Sequence, residues 1–324
     1  MPGGFVNPIP VTILSGFLGA GKTTLLRYLL KAEHGLKLAV IENEFAETGI
    51  DTELLGDDAV QVLTLANGCV CCSVNSDLTK GLRFLLQRLD SGAIHFERLV
   101  IECTGLADPA PVTQTFFTDE DIRERYLLDG VVTLVDAAHA EEHLKQTIAQ
   151  AQVGFADRLL VSKTDLVSPE TFAALSARLG RINPRAPIRV VEHGEIDLPE
   201  LLDIRGFNLN ADVGSGLTFK PVAKGVSHDR IRSLVLRRGA PLDIDRLSDF
   251  MNQLLEDHGR QLLRYKGVLN IQGEDRRLVF QGVLKLYGFD WDRAWEEGQA
   301  RESVIVFIGD ELPEEQIRIA FEQL

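Results

Sequence analysis

Four groups of residues in this chain of 324 residues have the types and spacing to do chemistry. The first is Gly16-Phe17-Leu18-Gly19-Ala20-Gly21-Lys22-Thr23, which fits G-x-x-x-x-G-K-[ST] and lies between an apolar run and a helical pattern, the context that motif requires. Gly16, Gly19, Ala20 and Gly21 form a loop whose backbone N–H groups can turn inward on phosphate oxygens, and the helix opening at Lys22 adds the positive end of its dipole. Lys22 can reach the β and γ phosphates and the Thr23 hydroxyl can hold Mg²⁺, with Thr24 beside it among the nucleotide-binding residues. The second group is the apolar stretch Leu99-Val100-Ile101 ending in Glu102 and followed by Cys103-Thr104-Gly105. A carboxylate there is placed to bind Mg²⁺, usually through water, and Gly105 can bring a backbone N–H to the γ phosphate. Taken alone, an ordinary buried strand end explains that stretch equally well, and Cys103 is expected to be a small buried residue. The third group is Ser162-Lys163-Thr164-Asp165 at the end of another apolar run. Asp165 can accept from guanine N1–H and the exocyclic amine, a donor pair adenine lacks, so GTP is expected over ATP. Lys163 would lie along the base plane. Ser162 occupies a position usually held by Asn, which is expected to loosen that loop.

The fourth group is Asn67-Gly68-Cys69-Val70-Cys71-Cys72. The only other cysteine is Cys103, so the chain has no disulfide framework and the three clustered residues read as thiolates. Three thiolates suit Zn²⁺, Cu(I) or an iron–sulfur cluster. No fourth ligand is adjacent in sequence, which leaves the site open and suits a metal that must leave. The nearest acids are Glu42, Glu44 and Glu47, in a stretch expected to act as the first switch loop. Three buried small residues or a redox pair are the alternatives, although redox pairs favour C-x-x-C, which is absent. His139-Ala140-Glu141-Glu142-His143 also matches the H-x-x-E-H pattern of inverted metallopeptidases, but a solvated, acid-rich first helical turn after Asp136 explains it as well.

These groups need a frame. Apolar runs at Ile9–Leu14, Leu38–Glu42, Val60–Leu65, Leu99–Glu102, Val131–Val135, Arg158–Ser162 and Ile188–Val191 alternate with helical patterns at Lys22–Ala32, Asp77–Leu89, Leu144–Ala151 and Thr171–Leu179. Such alternation predicts βαβ crossovers and an α/β fold with a mostly parallel sheet, a P-loop NTPase domain over residues 8–205. Residues 206–227 lack a clear period and read as a linker. Residues 228–324 then predict a smaller α+β domain: strands at Ser233–Arg237, Gly267–Gln272, Leu278–Tyr287 and Ser303–Ile308, a long helix over Ile244–Arg264 and a last helix over Pro313–Phe321. Hydrophobic residues make up 45% and charged residues 25%, which excludes wholesale disorder. With 34 Lys and Arg against 48 Asp and Glu, the net charge of −14 disfavours nucleic acid and anionic membranes as partners. No apolar run reaches the ~18 residues of a membrane span and the N-terminus lacks a secretory pattern, so a cytoplasmic location is expected.

The combination of Gly16–Thr23, Cys69-Val70-Cys71-Cys72, Glu102–Gly105 and Ser162–Asp165 resembles the CobW-type metallochaperone GTPases. The likeness extends to Glu42-Asn43-Glu44-Phe45, Leu262-Leu263-Arg264-Tyr265-Lys266-Gly267 and Phe280-Gln281-Gly282-Val283. The Gly-Cys-x-Cys-Cys element is specific to that family, whereas the phosphate loop is not. The resemblance implies GTP hydrolysis to GDP with Mg²⁺, and zinc or another divalent transition metal at Cys69, Cys71 and Cys72. Glu42 and Glu47 would be acidic ligands or switch residues. The smaller domain would receive a client metalloprotein, and related GTPases often pair across the nucleotide face, so a nucleotide-dependent homodimer is also implied. Two departures stand out. Phe45-Ala46-Glu47 replaces the common Phe-Gly-Glu, implying a stiffer first switch, and the linker carries no His-rich tract, so bulk metal storage is not expected. No Gln or Arg finger is assignable, which implies slow intrinsic turnover. The competing function is a nucleotide-gated metal sensor or adaptor whose GTP hydrolysis is incidental.

Overall fold

The computed structural model describes residues 8–32, 35–42, 60–64, 74–204, 206 and 229–324. The chain divides into two compact units, one made by Met1–Gln152, Ala156–Leu175 and Ala186–Gly206, the other by Val153–Phe155, Ser176–Arg185 and Phe207–Leu324. In chain order the elements up to residue 206 are β1 (Ile9–Gly16), α1 (Lys22–Lys31), β2 (Leu38–Glu42), β3 (Val60–Thr64), α2 (Val74–Asp90), β4 (Arg98–Glu102), α3 (Pro109–Thr118), α4 (Glu120–Arg125), β5 (Tyr126–Asp136), α5 (Ala140–His143), α6 (Thr147–Phe155), β6 (Arg158–Ser162), α7 (Pro169–Ile182), β7 (Ile188–Val191) and α8 (Leu198–Leu201).

The seven strands form one sheet in the order β3-β2-β4-β1-β5-β6-β7, with every pairing parallel. A parallel sheet carries helices on both faces, so its strand interiors must be apolar throughout. β2 and β4 obey this, and Leu14, Val40, Val132 and Leu160 join Leu25 and Leu29 of α1 in one core cluster. Polar residues inside strands must be paired, as buried Asp129 of β5 is with Arg98, and others stand at the strand ends. β1 runs between β4 and β5, and in such sheets ligands bind beyond the carboxyl ends where the strand order reverses. The register brings Glu42 beside Glu102, Gly16 beside Leu134 and Asp136 beside Ser162 along that one edge. The sequence pattern missed α3, because Pro109 and Pro111 read as loop. Pro is in fact favoured in a first helical turn, and the Asp108 carboxylate caps this one by accepting from Ala110 N–H at 2.9 Å.

The second unit carries β8 (Ile231–Arg238), α9 (Ile244–His258), β9 (Leu262–Asn270), β10 (Arg276–Val283), β11 (Leu286–Ala294), β12 (Ser303–Asp310) and α10 (Glu314–Glu322). Its sheet is antiparallel in the order β11-β10-β9-β12-β8. Leu236, Tyr265, Phe280 and Phe307 meet Met251 of α9 and Phe321 of α10 in its core. Two expectations are corrected here. The long helix ends at His258, where Gly259 N–H bonds Leu255 O, and Leu262–Arg264 already belong to β9. Leu262 and Leu263 continue the apolar spacing of Leu254 and Leu255, so a period of two was taken for 3.6. Leu278–Tyr287 is a hairpin and not one strand: the chain turns at Leu284, whose φ of 52° occurs without the Gly or Asn that signals such a turn. The expected linker lies, apart from Gly206, outside the described residues. Among the described residues no helix is long and apolar enough to cross a membrane.

Candidate nucleotide and metal site

The loop leaving β1 is shaped by backbone conformation first. Gly21 has φ 99°, a left-handed value that a side chain would strain, and from it α1 starts at Lys22. Lys22 is 7% exposed, and its Nζ donates to Gly16 O at 2.8 Å and Phe17 O at 3.2 Å. Burial lowers the Lys22 pKa, with the Glu102 carboxylate opposing that shift. The ammonium is thus aimed into the loop by its own carbonyls. The Thr23 hydroxyl donates to Glu102 Oε1 at 3.1 Å, so the phosphate loop and the acidic end of β4, 79 residues apart, meet in space. Cys103, next along, is fully buried and its thiol is pushed up to about 12 by burial, which leaves it a neutral packing residue. Gly105 is a close approach: a Cβ there would lie 2.6 Å from Leu18 N and Cα, so the loop after β4 rests directly on the phosphate loop.

At the end of β6, Ser162 Oγ donates to Ala20 O at 2.8 Å. The expected loosening is therefore not what the geometry shows, since the hydroxyl ties this loop to the phosphate loop. Lys163 adopts φ 57° and its Nζ donates to Asp136 Oδ2 at 2.6 Å. His139 Nδ1 lies 2.8 Å from the same oxygen, and Asp136 Oδ1 accepts from the Ala138 and His139 N–H groups. Burial alone would raise the Asp136 pKa, but the bonds from Lys163 and His139 hold it below the ordinary value. Asp165 stands exposed in a short 3-10 turn, Thr164–Leu166, and no hydrogen bond or ion pair engages its carboxylate among the described residues.

The H-x-x-E-H stretch spans a helix of four residues preceded by His139, whose ring makes no capping bond, and His143 packs on Phe17 of the phosphate loop with ring centroids 4.4 Å apart. Burial lowers the His143 pKa. Among the described residues no three His, Cys, Asp or Glu gather as a metal-ligand group. Cys69, Cys71, Cys72, Glu44 and Glu47 lie outside the described residues; Glu42 is described, at the end of β2 beside Glu102. Sequence reasoning left two residues unassigned here. Asp136 carried the same signal as Glu102, an apolar run ending in an acid, and could have been found. Gln152, whose Nε2 donates to the carbonyls of Gly105 and Ala107, carried none, because one Gln in an apolar helix is unremarked.

Residues 10–190 match the nucleotide-binding domain model of CobW/HypB/UreG, and residues 231–324 match the cobalamin synthesis protein cobW C-terminal domain. The chain belongs to the CobW/HypB/UreG family. Its sequence is 52% identical over 319 residues to the zinc chaperone YjiA of Escherichia coli K12, covering 98% of each chain. It is 33% identical over 350 residues to the zinc chaperone CobW of Pseudomonas aeruginosa, covering 95% of this chain and 89% of that one. The fold matches the crystal structure of Zn(II)-bound YjiA GTPase from E. coli with a TM-score of 0.82 at 48% identity, over 98% of this chain and 99% of that chain. Within the family the chain thus stands with YjiA, and the strand-end geometry described above is a CobW-type nucleotide domain.

Proposed function

We propose that this chain is a slow GTPase that couples its nucleotide state to the binding of zinc and its delivery to a client metalloprotein. The observation that carries the hydrolytic part is the 3.1 Å bond between the Thr23 hydroxyl and Glu102, beside a buried Lys22 at the opening of α1. A hydroxyl and a carboxylate are the hard oxygen donors that Mg²⁺ takes, so the residues present fit that ion. Bound there, Mg²⁺ would neutralise charge on the β and γ phosphates. Lys22 binds phosphate oxygens; Gly16, Gly19, Ala20, Gly21 and Thr24 complete the cradle; Gly105 offers its N–H to the γ phosphate. Asp165 reads guanine, with Lys163 along the base and Ser162 tying the base loop to the phosphate loop. The free, exposed carboxylate of Asp165 supports this role.

Zinc is the cargo in this proposal, held by Cys69, Cys71 and Cys72 with Glu42 and Glu47 as acidic ligands. Support comes from the thiolate chemistry, from relatives named zinc chaperones, and from connectivity: the cysteines fall between β3, the strand beside β2 with its Glu42, and α2. The domain reading is a GTPase unit over 8–205, a linker over 206–227 and a client-receiving domain over 228–324, in a cytoplasmic protein. Leu18, Leu106 and Leu166 are 68%, 55% and 64% exposed around the nucleotide loops, an apolar rim that supports pairing with a second copy when nucleotide is bound. GTP turnover measured with and without zinc, and in competition with ATP, tests the assignment. Hydrolysis of GTP in preference to ATP, with turnover that depends on zinc, is expected. Absence of GTP hydrolysis would refute it, and turnover indifferent to zinc and client would leave a nucleotide-gated sensor with incidental activity.

A further inference from the structure

Gln152 lies in α6 with a side chain only 1% exposed. Its Nε2 donates to Gly105 O at 3.2 Å and to Ala107 O at 3.0 Å. Both amide protons are thus committed to the loop that follows Glu102, the loop pressed against Leu18 of the phosphate loop. Among the described residues Oε1 of the same amide has no partner, although a buried acceptor left unmade is costly. A second orphan lies close by in the register. The main-chain carbonyl of Gln152 accepts from Thr133 Oγ1 at 2.9 Å, and Thr133 is the strand partner of Ser15. Register partners in a sheet share a face, so Ser15 presents its hydroxyl on the α6 side. That hydroxyl is fully buried, also without a partner among the described residues, and one residue before Gly16. Buried polar groups are nearly all satisfied in folded proteins, and two exceptions, one at the Gly105–Ala107 loop and one at the end of β1, call for a reason.

We propose that Gln152 is a positioning residue for GTP hydrolysis, whose amide holds the Gly105–Ala107 loop in one posture through Nε2 and receives it in a second through Oε1. The inference rests on the GTPase assignment made above. A loop peptide that keeps its carbonyl toward α6 is held by the donor, as here. One that turns its N–H toward α6 finds an acceptor already in place. The two ends of one amide therefore serve two loop postures without burying a new unsatisfied group, and the unused acceptor is what the second posture requires. Gly105 is the residue expected to face the γ phosphate, so the posture held by Gln152 is the one that GTP and GDP would bias differently.

Gln152→Met keeps nearly the same volume and removes both ends of the amide. Single-turnover GTP hydrolysis and the separate affinities for GDP and a non-hydrolysable GTP analogue distinguish positioning from simple packing. The expected result is a fall in kcat of roughly tenfold, about the worth of the one neutral hydrogen bond by which the two postures differ. GDP affinity should stay within about threefold, since its contacts do not pass through this loop, and the preference for the GTP analogue over GDP should shrink. Gln152→His, which can restore one donor, should recover part of kcat. Equal losses of GDP and analogue affinity with kcat unchanged would overturn the proposal, because a packing role has no reason to discriminate between nucleotides. Should Gln152→Met fail to fold, amide hydrogen exchange of the wild-type protein decides the matter: protection across Thr104–Ala107 must differ between the GDP and analogue complexes. Identical protection overturns the proposal. A wild-type protein that hydrolyses no GTP overturns the underlying assignment and this inference together, whereas an active wild type with an unaltered Gln152→Met variant overturns this inference alone.

Discussion

The two sheets place their polar residues differently. In the parallel sheet Glu42, Glu102, Asp136 and Ser162 stand at carboxyl ends, while a charge inside a strand is buried and paired, as Asp129 of β5 is with Arg98 Nη1 at 3.0 Å. In the antiparallel sheet two cationic side chains, Arg264 and Lys266, stand inside one buried strand. β9 is buried along its whole length, with Tyr265 and Leu269 on the face toward α9 and α10 and Arg264 and Lys266 on the other. Arg264 Nη1 is engaged within the unit, donating to Phe155 O at 2.8 Å, and near the start of β10 Arg277 pairs with Asp292. The Asn270 N–H likewise bonds Ser303 Oγ. A polar group at a strand end faces a crevice and remains available to a ligand, whereas one in a strand interior is desolvated and must be satisfied internally. Buried charge in the second unit therefore bears on stability, and charge at the strand ends of the first bears on chemistry.

Substitutions can break that contrast. Lys22→Ala should have the largest effect, lowering GTP turnover by at least about a hundredfold, because the ammonium is the cation proposed to bind the phosphates. Thermal melting should move little, since Lys22 gives up only bonds to its own loop. Turnover at the wild-type rate would remove the phosphate-loop assignment. Arg264→Met should do the reverse. It strands the Phe155 carbonyl and costs about 1–3 kcal/mol of stability, read as a lowered Tm or denaturant midpoint. GTP hydrolysis per folded molecule should be unchanged well below the transition, and a loss of kcat without a loss of stability would show that the second unit's buried charges serve catalysis after all.

Legibility followed the same division. The parallel domain could be read strand by strand because uninterrupted apolar runs such as Leu38–Glu42 and Arg158–Ser162 have one structural use, and because glycines and strand-end polar residues punctuate them. The second unit was legible as a class but not in its boundaries. Arg264 and Lys266 are buried in a strand although their type suggests a solvated helix face, and nothing local to Leu284 announces a turn. In the candidate site, the residues proposed to bind nucleotide and metal were singled out by type and spacing, whereas the contacts that support them were not. Ser162 looked like a weakened substitute until its bond to Ala20 O could be seen, and Gln152 acts through an approach of 45 to 47 residues in sequence that no motif encodes.

Within the strand-end group the contrast can be sharpened further. Asp165→Asn exchanges a carboxylate for an amide that can accept at one atom only. Guanine then keeps one of its two donors unpaired, at a cost of about 1–3 kcal/mol, or roughly a tenfold to hundredfold loss of GTP affinity. Binding of ATP has no such contact to lose. A competition titration between the two nucleotides should therefore show a narrowed preference, and an unchanged ratio would mean that another group reads the base.

The effect most informative about function is a difference between two affinities. If the thiolates of Cys69, Cys71 and Cys72 hold zinc, their replacement by Ser should abolish tight binding, since hydroxyls stay protonated and are far weaker ligands. GTP and GDP should still bind, as Lys22, Thr23 and Asp165 are untouched. The coupling between the two sites is what should disappear. Glu42 gives a physical route for it: β2 sets this proposed metal ligand beside Glu102, which meets the Thr23 hydroxyl, so a change at the phosphates reaches a zinc ligand across one strand spacing. In the unmodified protein, zinc affinity measured against a chromophoric chelator should differ between the GDP and GTP-analogue complexes by about 1–3 kcal/mol. Linkage then requires zinc to shift the relative affinities of the two nucleotides by the same factor. Glu42→Gln should reduce this difference more than it reduces zinc affinity itself, because it weakens the shared element while leaving three thiolates in place. Equal zinc affinity in both nucleotide states would break the proposed coupling and leave two independent sites at one end of the same sheet.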